Sequence, residues 1–321
     1  MSRTAVWLDC DPGHDDAFAL VLAAHSSKLD LIGVSCVAGN ASVKNCVRNA
    51  RSVLSAIGHT NVPVFAGAAR PLVRKSRICP EIHGETGLDK EKGGPVFPHA
   101  STSKDDDGIG GGHGALELAQ RLLAFSRANE GQRLVLVCTG ALTNAALALA
   151  LVPSLANVIE IVLMGGAAAG GNTGPQAEFN IQVDPDAAQM VLQAGVRVTM
   201  VPLEVTHTAI ATEKVIQEIR KRVKGAFGSA IEDLLGFFAK TYKDVFGFVE
   251  GPPVHDPTAV AYVIAPEIFE TKHVRVDVER HSELCLGQTV VDWHNIQKLP
   301  PNCHLAVKMD VEKFWSKSVF F

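Results

Sequence analysis

The chain alternates short apolar runs, which repeatedly end in Asp, Asn or Gly, with Ala- and Leu-rich segments of helical period. Strands buried on both faces read as continuous apolar runs, and parallel neighbours need a crossover helix between them. The alternation therefore predicts an α/β fold, an open, mainly parallel central sheet flanked by helices. The expected strands are AVWL (5–8), LIGVSCVA (31–38), PVFAG (63–67), RLVLVCTG (133–140), VIEIVLMGG (158–166) and VRVTMVPLE (196–204). The expected helices are 16–26, 42–58, 114–129, 142–151, 184–195 and 256–269, with Gly58 placed to stop one and Asp184 with Pro185 placed to start another. HVRVDVE (273–279) and LGQTVVDW (286–293) read as a small antiparallel C-terminal addition. The amphipathic segment 213–246 carries Phe227, Phe237, Phe238, Tyr242 and Phe246, an aromatic set expected to be core rather than ligand wall.

Residues 70–113 lack periodicity and are rich in Pro, Gly, Lys, Asp and His, so a functional loop, mobile near 75–112, is expected within one catalytic domain spanning 1–321. Within it, GIGGGHG (108–114) has neither a preceding strand nor a following Lys-Ser/Thr and reads as a hinge rather than a phosphate loop.

Composition narrows the class. The 321 residues are 47% apolar and 20% charged, enough to bury a large core, and the formal charge of -4, with no basic run longer than IRKRVK (219–224), argues against a nucleic-acid polymer as partner. Seven scattered cysteines, odd in number and without C-x-x-C spacing, argue against a disulfide framework or a zinc site and fit reduced thiols in a cytoplasm. The first apolar run is too short for a leader, and Pro, Gly or charge interrupts every longer one, so a soluble cytoplasmic protein without membrane contact is expected.

The most informative segment is LDCDPGHDD, which sets Asp9, Asp11, Asp15 and Asp16 within eight residues between the first strand and its helix. Crowded carboxylates repel one another, and a divalent cation resolves the conflict; oxygen ligands without Cys favour calcium or magnesium over zinc. Pro12 and Gly13 supply the turn that folds the loop back. Helix capping would use one or two of these acids and leave the others unexplained. The carboxyl end of a strand in an open parallel sheet is also where ligands bind.

DCDPGHDD (9–16) closely resembles the D-x-D-P-G-x-D-D signature of the inosine-uridine nucleoside hydrolase family. The resemblance continues through VAGN (37–40), IHGETGL (82–88), TGALTN (139–144), LMGG (163–166), GNTGPQAEFN (171–180) and VHDP (254–257). WLDCDPGHDD, ALT, TYKD and GPPVHDP look most like its fungal uridine-preferring branch. The departures are small, chiefly Ala141 where Gly or Pro is frequent.

The resemblance implies calcium-dependent hydrolysis of uridine, inosine or both to ribose and free base, by a homodimer or homotetramer. It implies that Asp11, Asp16, Asp256 and the Thr139 carbonyl hold the metal, with Asp11 as general base for a metal-bound water. Asp15, Asn40, Asn172, Glu178 and Asn180 would contact ribose hydroxyls, Met164 would line the sugar pocket, and His83 and His255 would lie near the base. His255 is the expected leaving-group acid, since histidine titrates near neutral pH; His207 is expected to be structural.

Two rivals remain at this level. D-x-D after a first strand also marks haloacid dehalogenase-like phosphatases, with Asp9 as nucleophile, but Pro12 and the lack of a matching later lysine disfavour that. A non-catalytic nucleoside-binding protein would have no use for a base at Asp11.

Overall fold

The computed structural model describes residues 3–97, 112–223 and 225–316. Its centre is a nine-stranded sheet in the order β3-β2-β1-β4-β5-β6-β9-β7-β8. The strands are β1 (Thr4–Cys10), β2 (Leu29–Cys36), β3 (Val64–Ala66), β4 (Leu134–Cys138), β5 (Glu160–Met164), β6 (Arg197–Val201), β7 (Phe269–Val278), β8 (Thr289–Asp292) and β9 (Cys303–Met309). The helices are α1 (His14–His25), α2 (Val43–Ala56), α3 (Pro80–His83), α4 (Gly114–Ala128), α5 (Thr143–Leu151), α6 (Phe179–Val183), α7 (Pro185–Gln193), α8 (Leu203–Thr206), α9 (Glu213–Arg222), α10 (Gly225–Phe246), α11 (Pro257–Ile264) and α12 (Val311–Phe314).

β1 to β6 are mutually parallel, as the apolar runs predict. Strand alternation divides the core: Val6, Leu8 and Cys10 join one cluster with α1, α2 and α11, while Ala5 and Trp7 join another with α4, α5 and α7. From β1 the chain builds outward through β2 and β3, then returns to the other side of β1 for β4, β5 and β6. The order therefore reverses between β1 and β4, and the carboxyl ends of those strands form the crevice where open α/β sheets bind ligands.

The antiparallel C-terminal addition is present as expected, and it holds one strand more. The antiparallel β7–β8 pair exists, but β9 lies between it and β6, parallel to β6 and antiparallel to β7, so the addition continues the main sheet. The expected helix at 256–269 stops at Ile264, because Pro266 cannot continue it and Phe269 already begins β7. The single helical segment expected over 213–246 is two helices, broken before Gly225, whose φ of +71° is the left-handed conformation that glycine tolerates.

Of the expected loop at 75–112, residues 98–111, and with them most of GIGGGHG, lie outside the described residues. The part up to Phe97 is ordered by its own chemistry: Asp89 accepts from the Thr86 hydroxyl, Leu88 is buried, and the Val96 N–H donates to the Leu88 carbonyl at 2.8 Å. Among the described residues no helix is long and apolar enough to cross a membrane.

Candidate active site

The crevice is assembled from strand ends. Asp11 follows β1, Asp15 and Asp16 open α1, Asn40 follows β2, Thr139 follows β4, Met164 ends β5, Glu178 caps α6, Asn180 lies in its first turn, and Asp256 caps α11. Asp15, Asp16 and Asp256 each bring a carboxylate oxygen within 4.8 Å of the others, all buried. Asp11 is fully buried: its Oδ2 accepts the Asn40 N–H at 2.7 Å, and its Oδ1 has no protein partner.

Asp16 is more fully held, with Oδ2 accepting from the Gly13 N–H at 2.9 Å and from Asn40 Nδ2 at 3.1 Å, and Oδ1 from the Thr139 hydroxyl at 2.8 Å. Two glycines are needed for this fit. A Cβ at Gly39 would stand 2.0 Å from Asp11 Oδ2, and one at Gly140 would stand 2.6 Å from Oδ1.

Burial, followed by repulsion from neighbouring carboxylates, raises the pKa values of Asp11 and Asp256 well above the usual range. The same causes raise Asp15 to about 7, and burial raises Asp16. Four acids so placed are an oxygen-only donor set with uncompensated charge, and one oxygen, Asp11 Oδ1, lacks any partner. These residues fit a hard divalent cation.

Asp9, the remaining acid of the motif, does something else. It accepts from the Ser35 hydroxyl and, at 2.8 Å, from Asn144 Nδ2, tying β1 to β2 and α5, and burial raises it to about 7. Its bonds turn it toward the packing between strands and helix, unlike Asp11, Asp15 and Asp16, which disfavours the nucleophile role that the phosphatase reading requires.

The pocket over this cluster encloses about 900 Å³ including its mouth. Asp15, Asn40, Thr139, Met164, Asn172, Glu178, Asn180, His83, His255 and Asp256 all line it, so every sequence-predicted site residue except Asp11 and Asp16 reaches the wall, and those two stand fully buried behind it. Asn180 Nδ2 donates to the Thr139 carbonyl at 2.8 Å and the Met164 carbonyl at 3.1 Å. The Glu178 carboxylate gathers the N–H groups of Gly166 (2.9 Å), Asn180 (2.9 Å) and Ile181 (3.2 Å), and burial still raises it to about 7. Asn172 Oδ1 is held by the Phe179 N–H at 3.0 Å.

The aromatic residues of α10 correct the expectation made for them. Phe238 and Tyr242 are buried, yet together with Val245 and Phe246 they form one wall of the pocket, facing Cys79 and Ile82. Sequence reasoning missed this role because an amphipathic aromatic face carries the same pattern whether it meets a core or a ligand. His255 lines the pocket as well. Its Nδ1 lies 2.7 Å from the Thr206 hydroxyl and its Nε2 lies 2.7 Å from the Tyr242 hydroxyl, so both ring nitrogens already have partners. Burial, then His207, whose ring meets it edge-on, pushes the His255 pKa well down.

The pattern described as "Inosine-uridine preferring nucleoside hydrolase" matches residues 6–316. The chain is 42% identical over 318 residues to a probable ribonucleoside hydrolase of Dictyostelium discoideum, covering 97% of this chain and 92% of that protein. It is 41% identical over 314 residues to an inosine-uridine preferring nucleoside hydrolase of Leishmania major (96% and 94% covered). It is likewise 41% identical to a pyrimidine-specific ribonucleoside hydrolase of Photobacterium profundum (98% and 96% covered). Among solved structures, a purine-preferring ribonucleoside hydrolase from Gardnerella vaginalis superposes with a TM-score of 0.86 at 29% identity, covering 99% of this chain and 97% of that one.

Proposed function

Since the chain belongs to the inosine-uridine preferring nucleoside hydrolase family, a family of N-glycosidic hydrolases of ribonucleosides, we propose that it hydrolyses uridine and inosine to ribose and free base with calcium in the carboxylate cluster. The observation that carries this reading is the convergence of Asp15, Asp16 and Asp256 at the β1/β4 crevice, with Asp11 close enough for its carboxylate to be raised by theirs, beside a pocket that amides, Glu178 and aromatic rings help to line. The oxygen-only donors favour calcium over a softer metal. Asp11, Asp16, Asp256 and the Thr139 carbonyl would hold it, with Asp15 close enough to share the charge. When bound, the cation offsets the carboxylate repulsion and orients water and sugar hydroxyls.

In this reading the ribose lies with its 2′,3′-diol toward the carboxylates, Asn40, Asn172, Glu178 and Asn180 read its hydroxyls, and Met164 lies beneath the ring. Asp11 Oδ1, a fully buried carboxylate oxygen without a protein partner, takes a proton from the attacking water as its oxygen bonds to C1′. The C1′–N bond breaks with its electron pair leaving on the base nitrogen. Positive charge develops on the sugar, as in glycoside hydrolysis, and the nearby carboxylates stabilise it. The base accepts a hydrogen bond or proton from the Tyr242 hydroxyl, which His255 supports from behind at 2.7 Å. The aromatic wall of α10 receives the planar base. Localisation in the cytoplasm and assembly into a homodimer or homotetramer accompany this proposal as expectations from the resemblance.

The test is product identity in phosphate-free buffer. Uridine and inosine should yield free ribose and the base at rates independent of phosphate. Turnover of a phosphate ester in place of any nucleoside would overturn the proposal, as would tight nucleoside binding without cleavage.

A further inference from the structure

The loop between β5 and α6, residues 165–178, delivers Glu178 to the pocket, and side chains rather than main chain satisfy its first amides. Gly166 N–H donates to Glu178 Oε2 at 2.9 Å, Ala167 N–H to the Thr289 hydroxyl at 2.9 Å, and those of Ala168 and Ala169 to Glu204 Oε1 at 3.0 and 2.8 Å. Main-chain donors withdrawn from water need such partners, and here they come from three separate parts of the chain.

Thr289 is the most distant of these partners in sequence. It is buried and opens β8, the outermost strand of the sheet. Its hydroxyl also donates to the Ala167 carbonyl at 2.6 Å, so one side chain satisfies both polar groups of that residue, as a paired strand would. The approach is close, since a Cβ at Gly166 would stand 3.1 Å from the Thr289 methyl. One residue earlier, Gln288 forms an antiparallel bridge with Ala177, and its amide donates to Gln176 Oε1 at 3.2 Å. The start of β8 therefore staples the β5–α6 loop near both of its ends.

The staple bears on Glu178. Its Oε2 takes two N–H donors, from Gly166 and Ile181, and its Oε1 takes one, from Asn180. A carboxylate has about four lone-pair positions, so Oε1 is the freer oxygen for a ligand hydroxyl. Asn180 and Ile181 belong to α6, the helix that Glu178 caps, whereas Gly166 donates from across the loop. That outer tether depends on where the Gly166 peptide is held: by the Leu203 N–H on its carbonyl at 3.0 Å, and by Thr289 on the next residue.

We propose that Thr289 is a positioning residue for the sugar site: its hydroxyl fixes the Gly166–Ala167 peptide, and through the Gly166 N–H it fixes the Glu178 carboxylate against a ribose hydroxyl. The inference rests on the nucleoside reading of the pocket and gives the outermost strand of the sheet a part in substrate recognition.

Thr289→Val keeps the shape of the side chain and loses the hydroxyl, while Thr289→Ser keeps the hydroxyl. Two measurements on the full-length protein in calcium-containing buffer decide. Amide hydrogen exchange in the segment 164–170 should quicken in Thr289→Val and stay native in Thr289→Ser; unchanged exchange in Thr289→Val overturns the proposal, whatever the enzyme hydrolyses. Uridine and its 2′-, 3′- and 5′-deoxy forms are then compared as competitors of nitrophenyl riboside hydrolysis. Loss of one well-placed hydrogen bond predicts that Thr289→Val raises the inhibition constant of uridine about threefold to tenfold. The increase should vanish for the one analogue that lacks the hydroxyl read by Glu178, and Glu178→Gln should have its smallest effect on that same analogue. An equal increase for all four ligands, or the same increase in Thr289→Ser, makes Thr289 a packing residue and overturns the proposal. If the native protein cleaves neither uridine nor the riboside, the proposed activity fails and the sugar role with it, while the exchange result still reports whether Thr289 holds the loop.

Discussion

Replacing Tyr242 by Phe removes one oxygen and leaves the ring that packs against Phe238 at 4.6 Å and Phe246 at 5.1 Å. Lost with it is the 2.7 Å contact to His255 Nε2 and the only hydroxyl of α10 that faces the pocket. The structural cost is that of one buried hydrogen bond with a partner left behind, about 1–3 kcal/mol, so the variant should fold with a modestly lowered Tm. The catalytic cost is larger if this hydroxyl assists base departure. General acid assistance contributes about 10²–10⁴-fold, or roughly 3–5 kcal/mol of transition-state stabilisation at 1.36 kcal/mol per decade. The assay compares uridine with nitrophenyl riboside, whose nitrophenolate leaves without a proton. Uridine hydrolysis should fall by about two to four decades in kcat while nitrophenyl riboside hydrolysis stays within about threefold. Equal losses on both substrates would refute the reasoning and reduce Tyr242 to a packing residue.

Other consequences follow from the same geometry. Gly39→Ala places a methyl 2.0 Å from Asp11 Oδ2; overpacking of this kind costs about 1–3 kcal/mol, and calorimetry should show both a lower Tm and weaker calcium binding. Glu178→Gln turns an amide NH₂ toward the main-chain donors on one side, either Asn180 or the pair Gly166 and Ile181, so urea unfolding should report a loss of about 1–3 kcal/mol. Asp9, Asp15 and Glu178, raised to about 7 by burial, hold protons in the folded state that the unfolded chain releases near 4. Stability of the cation-free protein should therefore fall as pH rises from about 4 to about 7. Thermal melts in chelator at pH 5 and pH 8 check the sign; a higher Tm at pH 8 would contradict it.

The parallel half of the sheet was legible because each strand is a continuous apolar run with its own helix after it, a local signal. β9 was not, because CHLAVKM follows the irregular stretch around Pro300 and Pro301 and finds its partners, β6 and β7, far back in the chain. The aspartate loop stood out through charge density alone, and the resemblance carried Asn40, Asn172, Glu178 and Asn180 to positions that do line one pocket. The engagement of both His255 nitrogens, by Thr206 and Tyr242, could not be read from spacing, since one partner lies on α8 and the other on α10. Thr289 gave no signal for a similar reason: a threonine opening a strand looks the same whether or not its hydroxyl reaches Ala167.

The central claim is that Asp11 deprotonates the water that cuts the glycosidic bond. Asp11→Asn keeps the size of the side chain and an oxygen able to accept the Asn40 N–H, but removes the base. Measured as ribose release from uridine at saturating calcium, with calcium and uridine binding followed separately by calorimetry, the variant should still bind both ligands and lose about two to four decades in kcat. Turnover within a few-fold of the native enzyme, at equal calcium occupancy, would contradict the account.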